Sequence, residues 1–190
     1  MLVSAARVPE VPRPGPDPRI AAAAAGDRAA ARALLLELTP RVRNLVRYLV
    51  RGDEDVDDVA QEALIAIVRG LPTFRGDGTF ESWSDRVTAR ATFAVIRKRR
   101  TEDAARRDAG PDLAAVGEGD RPDEYLQRRR VVERLDAVPD AQRHAIVLHH
   151  VAGMSVGEVA EELSVPAETV RSRIRLGMAR LREGGENNGA

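Results

Sequence analysis

The sequence predicts an all-α protein of two small helical domains joined by a flexible linker, and three observations carry that expectation. Val56, Val59, Ala60, Ala63, Leu64, Ile67, Val68 and Leu71 recur at i, i+3, i+4 and i+7, the signature of an amphipathic helix. Met154 to Arg182 reads as a short capped helix, a Pro-marked turn and a second helix. Between these halves, Thr101 to about Arg121 loses all apolar period, contains Gly110, Pro111, Gly117 and Gly119, and holds more acids than bases. Such a segment stays extended because its charges repel and it has nothing to bury. The expected division is a disordered leader over 1–17, a first domain over 18–103, an acidic linker over 104–121, a second domain over 122–185 and a tail over 186–190.

Composition narrows the function. Aromatic residues make up only 3% of the 190, so Leu, Val, Ile and Ala must supply both cores. Net charge is zero although 32% of residues are charged, so the distribution of charge matters and its sum does not. With no cysteine there is no disulfide and no thiolate ligand or nucleophile. No run of about 18 apolar residues predicts membrane insertion, and the N-terminus lacks the pattern of a secretory signal, so a cytoplasmic location is expected. His144, His149 and His150 share one helix without an acid or cysteine cluster nearby, and read as structural or exposed rather than metal-bound. No phosphate loop, dinucleotide glycine pattern, nucleophile elbow or metalloprotease signature occurs, so neither enzymatic activity nor a cofactor or metal is expected.

In chain order, Met1 to Pro18 holds five prolines and little periodic apolar content. Arg19 to Ala25 opens a short helix that Gly26 and Asp27 punctuate. Helix resumes to Leu38, and Thr39 before Pro40 marks a new start by cap and first-turn chemistry. Leu34, Leu35, Leu38, Val42, Leu45, Val46 and Leu49 supply core across that junction. On the following helix, Asp58, Gln61, Glu62, Ile65 and Arg69 form a second stripe opposite the apolar one. Acids near a helix start serve its dipole, and a protein-binding face has the same pattern, so spacing alone leaves both readings open.

Leu71 to Ser82 is a strong loop signal: Pro72, Gly76, Asp77 and Gly78 break the helix, while Phe74 and Phe80 flank the break and pack it onto the core. Thr79 caps a helix to about Arg100 with Trp83, Val87, Ala91 and Val95 or Ile96 inward. From Arg86 to Arg100 there are six basic residues and no acid, a candidate nucleic-acid surface. After the linker, a helix to Leu135 turns Tyr125, Val132 and Leu135 inward. Pro139 and Asp140 open another with Ile146, Val147, Leu148 and Val151, closed by Gly153.

Ser155 and Glu158 then have the spacing of a capping box. Val156, Val159, Ala160 and Leu163 form the stripe of a short helix, and Pro166 suits the first turn of the next. In that last helix Val170, Ile174, Gly177 and Leu181 lie on one side; Glu168, Arg171, Ser172 and Arg175 point away, flanked by Arg173 and Arg180. Five arginines against one acid between Ala167 and Arg182 suit phosphates and guanine edges, so the pair reads as a helix-turn-helix with its recognition helix.

The ordered motifs resemble those of a known family. Asp55-x-x-Asp58-Val59-x-Gln61-Glu62, then Phe74-Arg75-Gly76, Phe80-x-x-Trp83 and a basic helix end are similar to region 2 of bacterial extracytoplasmic-function (ECF) sigma factors of the sigma-70 family. Met154-Ser155-x-x-Glu158-Val159-Ala160 and Val165-Pro166-x-x-Thr169-Val170-x-Ser172-Arg173 resemble their region 4. The resemblance spans about residues 18 to 185. It implies a factor that binds core RNA polymerase and directs initiation from promoters by reading minus-35 and minus-10 DNA. By the same resemblance, Asp55, Asp58, Gln61, Glu62 and Ile65 meet the clamp helices of the largest subunit, and the polymerase flap and an anti-sigma factor are further partners. Phe74, Arg75, Phe80, Trp83, Arg86, Arg90, Arg97 and Arg99 serve the minus-10 element. Glu168, Thr169, Arg171, Ser172, Arg173, Arg175 and Arg180 serve minus-35, and the linker lies in the RNA exit path. Such a factor is cytoplasmic, and nucleoid-associated when bound to polymerase. Arg90 and Ala94 stand where family members often have Asn and Asp, and Ser84 replaces an aliphatic residue after Trp83, so the family's minus-10 preference does not carry over. Two other readings share the helix-turn-helix: a regulator that binds duplex DNA without polymerase, and a sigma-like decoy that binds polymerase without starting transcription.

Overall fold

The computed structural model describes residues 17–51, 55–105 and 122–186, and among them all regular structure is helical. Helix α1 spans Pro18–Ala24 and α2 spans Arg28–Leu49. Asp17 caps the first by accepting from the Arg19 amide, and Asp27 caps the second by accepting from the amides of Ala29 and Ala30. Gly26, at φ +99°, makes the turn between them. Helix α3 covers Val56–Gly70, a short 3₁₀ turn follows at Leu71–Thr73, and α4 runs Phe80–Ala105. The second half contains α5 (Pro122–Asp136), α6 (Asp140–Ile146), α7 (Val156–Leu163) and α8 (Ala167–Glu186).

Several expectations change. No new helix starts at Thr39–Pro40: α2 runs through, with Pro40 inside it. Leu34, Leu38, Val42, Leu45 and Leu49 form one buried stripe across the proline, so tertiary burial outweighs the single missing amide. Thr39 turns its hydroxyl back onto the Leu35 carbonyl at 2.7 Å instead of capping a new helix. Val68, read as part of the α3 core stripe, is exposed at its edge, and Val151 is exposed as well. Helix α4 continues past Arg100 to Ala105. Apart from that helical start at 101–105, the linker lies outside the described residues, as do residues 1–16 of the leader, the Tyr125 side chain and the last residues of the tail.

The helix begun at Asp140 does not end as a regular α-helix. Residues Val147–Val151 form a π turn, which buries Val147 and Leu148 and leaves His150 and Val151 outside. Gly153 then turns the chain at φ +66°.

Two cores result. The first joins α1 to α4 and includes Leu34, Leu38, Val42, Val46, Val59, Ala63, Ile67 and Phe80. The second is not confined to the second domain. Leu45 and Leu49 of α2 and Ala89 and Phe93 of α4 pack with Leu135, Leu148, Met154, Val159 and Val170, so the domains share a core. Helix α4 therefore has two buried faces. Ser84, Thr88 and Thr92 are buried on it, and each hydroxyl is satisfied within the helix by a carbonyl three or four residues back, at 2.8 Å.

Polar contacts fix the same junction. Arg143 is fully buried, and its guanidinium donates to the carbonyls of Tyr48 (2.7 Å), Arg47 (3.0 Å) and Val50 (2.7 Å), and to Asp136 Oδ1 (2.5 Å). His144 Nε2 donates to the Leu49 carbonyl at 3.1 Å, which fixes its tautomer, and Phe93 packs edge-on against its ring. Four successive carbonyls at the end of α2 are thus capped from α6. Arg51 reciprocates: it donates to the carbonyls of Asp136 and Val138 and to Asp140 Oδ1. Burial pulls the Arg143 pKa below the usual arginine value against the attraction of Asp136, but guanidinium remains charged at any ordinary pH. Arg143→Leu should therefore cost about 3 kcal/mol, since it strands buried carbonyls and unties the domains. Chemical denaturation should show the loss, with the two domains melting apart.

Candidate nucleic-acid and protein interfaces

Helix α3 separates its two stripes as its spacing requires. Val56, Val59, Ala60, Ala63 and Ile67 are buried; Asp58, Gln61, Glu62 and Arg69 are exposed, with Ile65 half-buried beside them. Asp55, at the start of this helix, pairs its carboxylate with Arg99 near the far end of α4. A candidate of the protein-binding face and one of the DNA face are thus brought together as a clasp within the first domain. Asp57, which was not singled out in the sequence, pairs with Arg43 at 2.7 Å.

The loop after α3 is built around three rings. Phe74, Phe80 and Trp83 pack with centroids 5.4 to 5.5 Å apart, Phe80 stacked on Trp83 and edge-on to Phe74. Phe80 is buried in the first core, so its ring supports the loop and does not reach solvent; Phe74 and Trp83 are half-buried. Gly70 permits this packing, since a Cβ there would lie 3.1 Å from the indole. Gly76 takes φ +79° at the exposed tip, beside the exposed Arg75. Thr79 accepts from the Ser82 amide at 3.1 Å and so starts α4 as its position suggested.

The basic side of α4 is not free. Arg86 Nη1 lies 3.7 Å from Glu158 Oε1, Arg90 Nε 4.0 Å from Glu162 Oε2, and Arg97 Nη1 3.0 Å from Glu162 Oε1. Both acids belong to α7. Sequence reasoning gave Glu158 only its cap role and gave Glu162 none, because a contact between helices some 70 residues apart leaves no local signal. Nor did it find the pair of Arg41 with Asp85, a nearly buried carboxylate held through both oxygens at 2.6 and 2.7 Å. That carboxylate raises the Arg41 pKa.

The helix-turn-helix forms as read. Ser155 Oγ accepts from the Glu158 amide at 3.2 Å, and Glu158 accepts from the Ser155 amide at 2.8 Å, completing the capping box. That backbone donor, with the serine hydroxyl and more distant help from Arg86 and Arg90, holds the Glu158 pKa below the ordinary value. Ser164 closes α7 in the left-handed region at φ +52°, and α8 begins after Pro166, whose carbonyl accepts from the Val170 amide. Val170 and Gly177 are buried, with Ile174 and Leu181 half-buried; Glu168, Arg171, Arg175 and Arg180 are exposed, with Thr169, Ser172 and Arg173 between. Gly177 lets α8 approach α6 closely, for a Cβ there would sit 2.5 Å from Ile146 Cδ1 and 3.1 Å from Gln142 Cβ. Arg171 pairs with Glu168 at 3.0 Å, and Arg180 donates to Gln142 Oε1 at 2.7 Å. Arg175 is exposed on the face between them.

The histidines are accounted for by packing: His144 is buried at the domain junction, and His149 Nδ1 bonds the Met154 carbonyl at 2.8 Å beside His150. Burial, with His149 close by, lowers the His150 pKa. Among the described residues no group of His, Asp and Glu is placed to hold a metal ion.

Residues 34–102 match the family model described as Sigma-70 region 2, and residues 128–181 that of Sigma-70, region 4. The chain is 34% identical over 160 residues to the ECF RNA polymerase sigma-E factor of Escherichia coli (strain K12), covering 78% of this chain and 83% of that protein. It is 30% identical over 162 residues to the RNA polymerase sigma-H factor of Pseudomonas aeruginosa, covering 78% and 82%. Two solved structures share the fold. The structure of CnrH in complex with the cytosolic domain of CnrY aligns at TM-score 0.54 and 24% identity, over 90% of this chain and 97% of that one. The sigma factor RpoE in complex with the anti-sigma factor NepR, from Bartonella quintana, aligns at TM-score 0.58 and 21% identity, over 80% and 94%.

The capping box gives a test of how the helix-turn-helix is held. Ser155→Ala should destabilise the protein by about 1 kcal/mol at neutral pH. Because Glu158 titrates lower in the folded state than in the unfolded one, its contribution is present above its unfolded pKa, about 4.3, and is lost as pH falls through the lower folded value. Thermal melts from pH 7 to pH 3 should therefore show the difference between wild type and Glu158→Ala, which removes the carboxylate, narrowing below about pH 4.

Proposed function

Because the chain belongs to the extracytoplasmic-function sigma factors of the sigma-70 family, we infer that it binds core RNA polymerase and directs promoter-specific initiation of transcription by reading minus-35 and minus-10 elements. It works by binding and positioning and is not an enzyme. The observation that carries its assignment to residues is that α3 and α8 each set an exposed polar face opposite a buried apolar stripe, one acidic and one basic. An acidic face suits a protein partner, and an arginine face suits DNA.

In this reading residues 18–103 form region 2 and 122–185 form region 4. Asp58, Gln61 and Glu62, with Ile65 beside them, meet the clamp helices of the largest polymerase subunit, and region 4 meets the flap. Asp55 supports that face through Arg99. Arg75 and the half-buried Phe74 and Trp83, on the loop, and Arg86, Arg90 and Arg97, on α4, serve the minus-10 DNA, with Phe80 holding the loop from beneath. Arg175 and Arg171 read bases at minus-35; Glu168, Thr169 and Ser172 lie on the same face, and Arg173 and Arg180 hold phosphates. An anti-sigma protein is a further partner. No helix among the described residues is long and apolar enough to cross a membrane, and work with polymerase and promoter DNA places the protein in the cytoplasm, at the nucleoid when engaged.

Reversing Asp58 and Glu62 together to Lys should leave the fold intact, because both are exposed, yet weaken binding to core polymerase by tenfold or more, about 1.4 kcal/mol. Unchanged affinity in a pull-down titration with core enzyme would place the polymerase face elsewhere. At minus-35, Arg175→Ala should remove about 1 to 3 kcal/mol of discrimination at one or two positions, whereas Arg180→Ala should weaken all sequences alike and reduce the salt slope by about one unit. Selection of a randomised minus-35 library at two salt concentrations separates these outcomes. A uniform loss for Arg175→Ala would mean that α8 docks in a different rotation.

A further inference from the structure

The outer face of α8 carries one large side chain that neither the core nor hydrogen bonding explains. Leu176 has 48% of its surface exposed, although the next residue, Gly177, is buried against Ile146 and Gln142. At about 100° per residue, Leu176 stands roughly 100° around the helix from the buried line of Val170 and Gly177. Its neighbours on that side are Thr169 and Ser172, two turns and one turn before it, and Ala179 one turn after it, all half-buried. Arg171 and Arg175 lie along one edge of this strip, and Arg173 and Arg180 along the other. Small and apolar side chains thus run between two rails of arginine, and the acid at the helix start, Glu168, is engaged by Arg171 at 3.0 Å. Guanidinium rails suit the phosphates on either side of a groove, which turns the strip between them toward base edges. Leucine has neither donor nor acceptor. Of the groups that base pairs present in the major groove, the one apolar feature it can meet is the C5-methyl of thymine.

We propose that Leu176 is a specificity-determining residue: it packs on the methyl group of one thymine in the minus-35 element. This rests on the assignment of α8 to that element and extends it to a base that no arginine reads. From Ser172 to Leu176 the helix rises about 6 Å, the scale of one to two base-pair steps of about 3.4 Å each. The thymine therefore lies one or two pairs from the base that Ser172 faces. The two kinds of reader divide the work. A guanidinium selects a guanine edge by forked hydrogen bonds, whereas Leu176 selects for a methyl group it can cover and against a polar edge it would desolvate. Cytosine at that position loses on both counts, since it lacks the methyl and sets an amine against an apolar side chain. A methyl group added to that cytosine restores one of the two.

The test uses polymerase assembled from core enzyme and the full-length chain, on a duplex carrying the minus-35 sequence recovered from the randomised library. Each thymine of that sequence is replaced in turn by deoxyuridine, which removes the methyl group and keeps every hydrogen-bonding group. One replacement should weaken binding by wild type about fourfold, the worth of one buried methyl, and the others by less than about 1.5-fold. In Leu176→Ala the sensitive position should lose its response, while Leu176→Met, which keeps an apolar side chain, should retain most of it. Arg175→Ala should bind more weakly overall and keep the response. At the same position, 5-methylcytosine should bind wild type about fourfold better than cytosine and Leu176→Ala equally well. Leu176 is half-exposed and alanine favours helix, so both variants should fold, which circular dichroism checks. A deoxyuridine response of equal size in wild type and Leu176→Ala, or none at any thymine, would overturn the proposal. So would loss of affinity for core enzyme alone in Leu176→Ala with the methyl response intact, which would make the leucine a protein contact. Sequence preference at minus-35 without a methyl response defeats this proposal and leaves the assignment of α8 standing, whereas absence of any preference there defeats both.

Discussion

The arrangement of the second domain depends on how the end of α2 is finished. A helix leaves its last carbonyls without partners, and here water does not satisfy them: Arg143 and His144 take the carbonyls of residues 47 to 50, while Arg51 returns the favour at the end of α5. Each domain completes the other's backbone. Guanidinium suits this work because its planar donors reach several carbonyls from one buried position. With α6 fixed in this way, Ile146 and Gln142 present the surface against which Gly177 seats α8. The direction in which Arg171 and Arg175 project is thus set, through α6, by hydrogen bonds made on a helix of the first domain.

The junction has a mixed character. Its ion pairs at the rim, between α4 and α7, are partly exposed and individually weak. Its centre is apolar and hydrogen-bonded, and separation would bring Phe93, Leu148 and Met154 to water. Large apolar surface of this kind does not stay exposed without a partner to cover it.

Much of this was legible in the sequence, and the part that was not has one cause. Period 3.6 gave α3 and its two faces; Ser155 with Glu158 gave the capping box; Phe74 and Phe80 gave a loop folded onto the core. Those signals are local, carried by residues within a few turns of each other. Pro40 misled because a proline inside a helix forfeits one hydrogen bond, a loss that a long buried stripe outweighs, and no window short enough to see the proline sees the whole stripe. Arg143 looked like one more charged residue on an amphipathic helix, and Glu162 like one more surface acid. Their partners, Tyr48 and Arg97, are distant in the chain, and only the packing of α2, α4, α6 and α7 brings them together. For the same reason Asp55 and Arg99, assigned to different partners by their motifs, were found holding one another.

The π turn at Val147–Val151 has a consequence for how the domain keeps time along its chain. A widened turn accommodates one residue more than an α-helical turn would, and each residue advances a helix by about 100°. Upstream of it the chain grips α2; downstream lie the reading helices. The widened turn is thus a phase adjuster between grip and reader. Because Gly177 seats α8 on Ile146 and Gln142, upstream of the widened turn, a homologue lacking that one residue would have to absorb the roughly 100° difference in the turn at Gly153 to keep its DNA face where this one points.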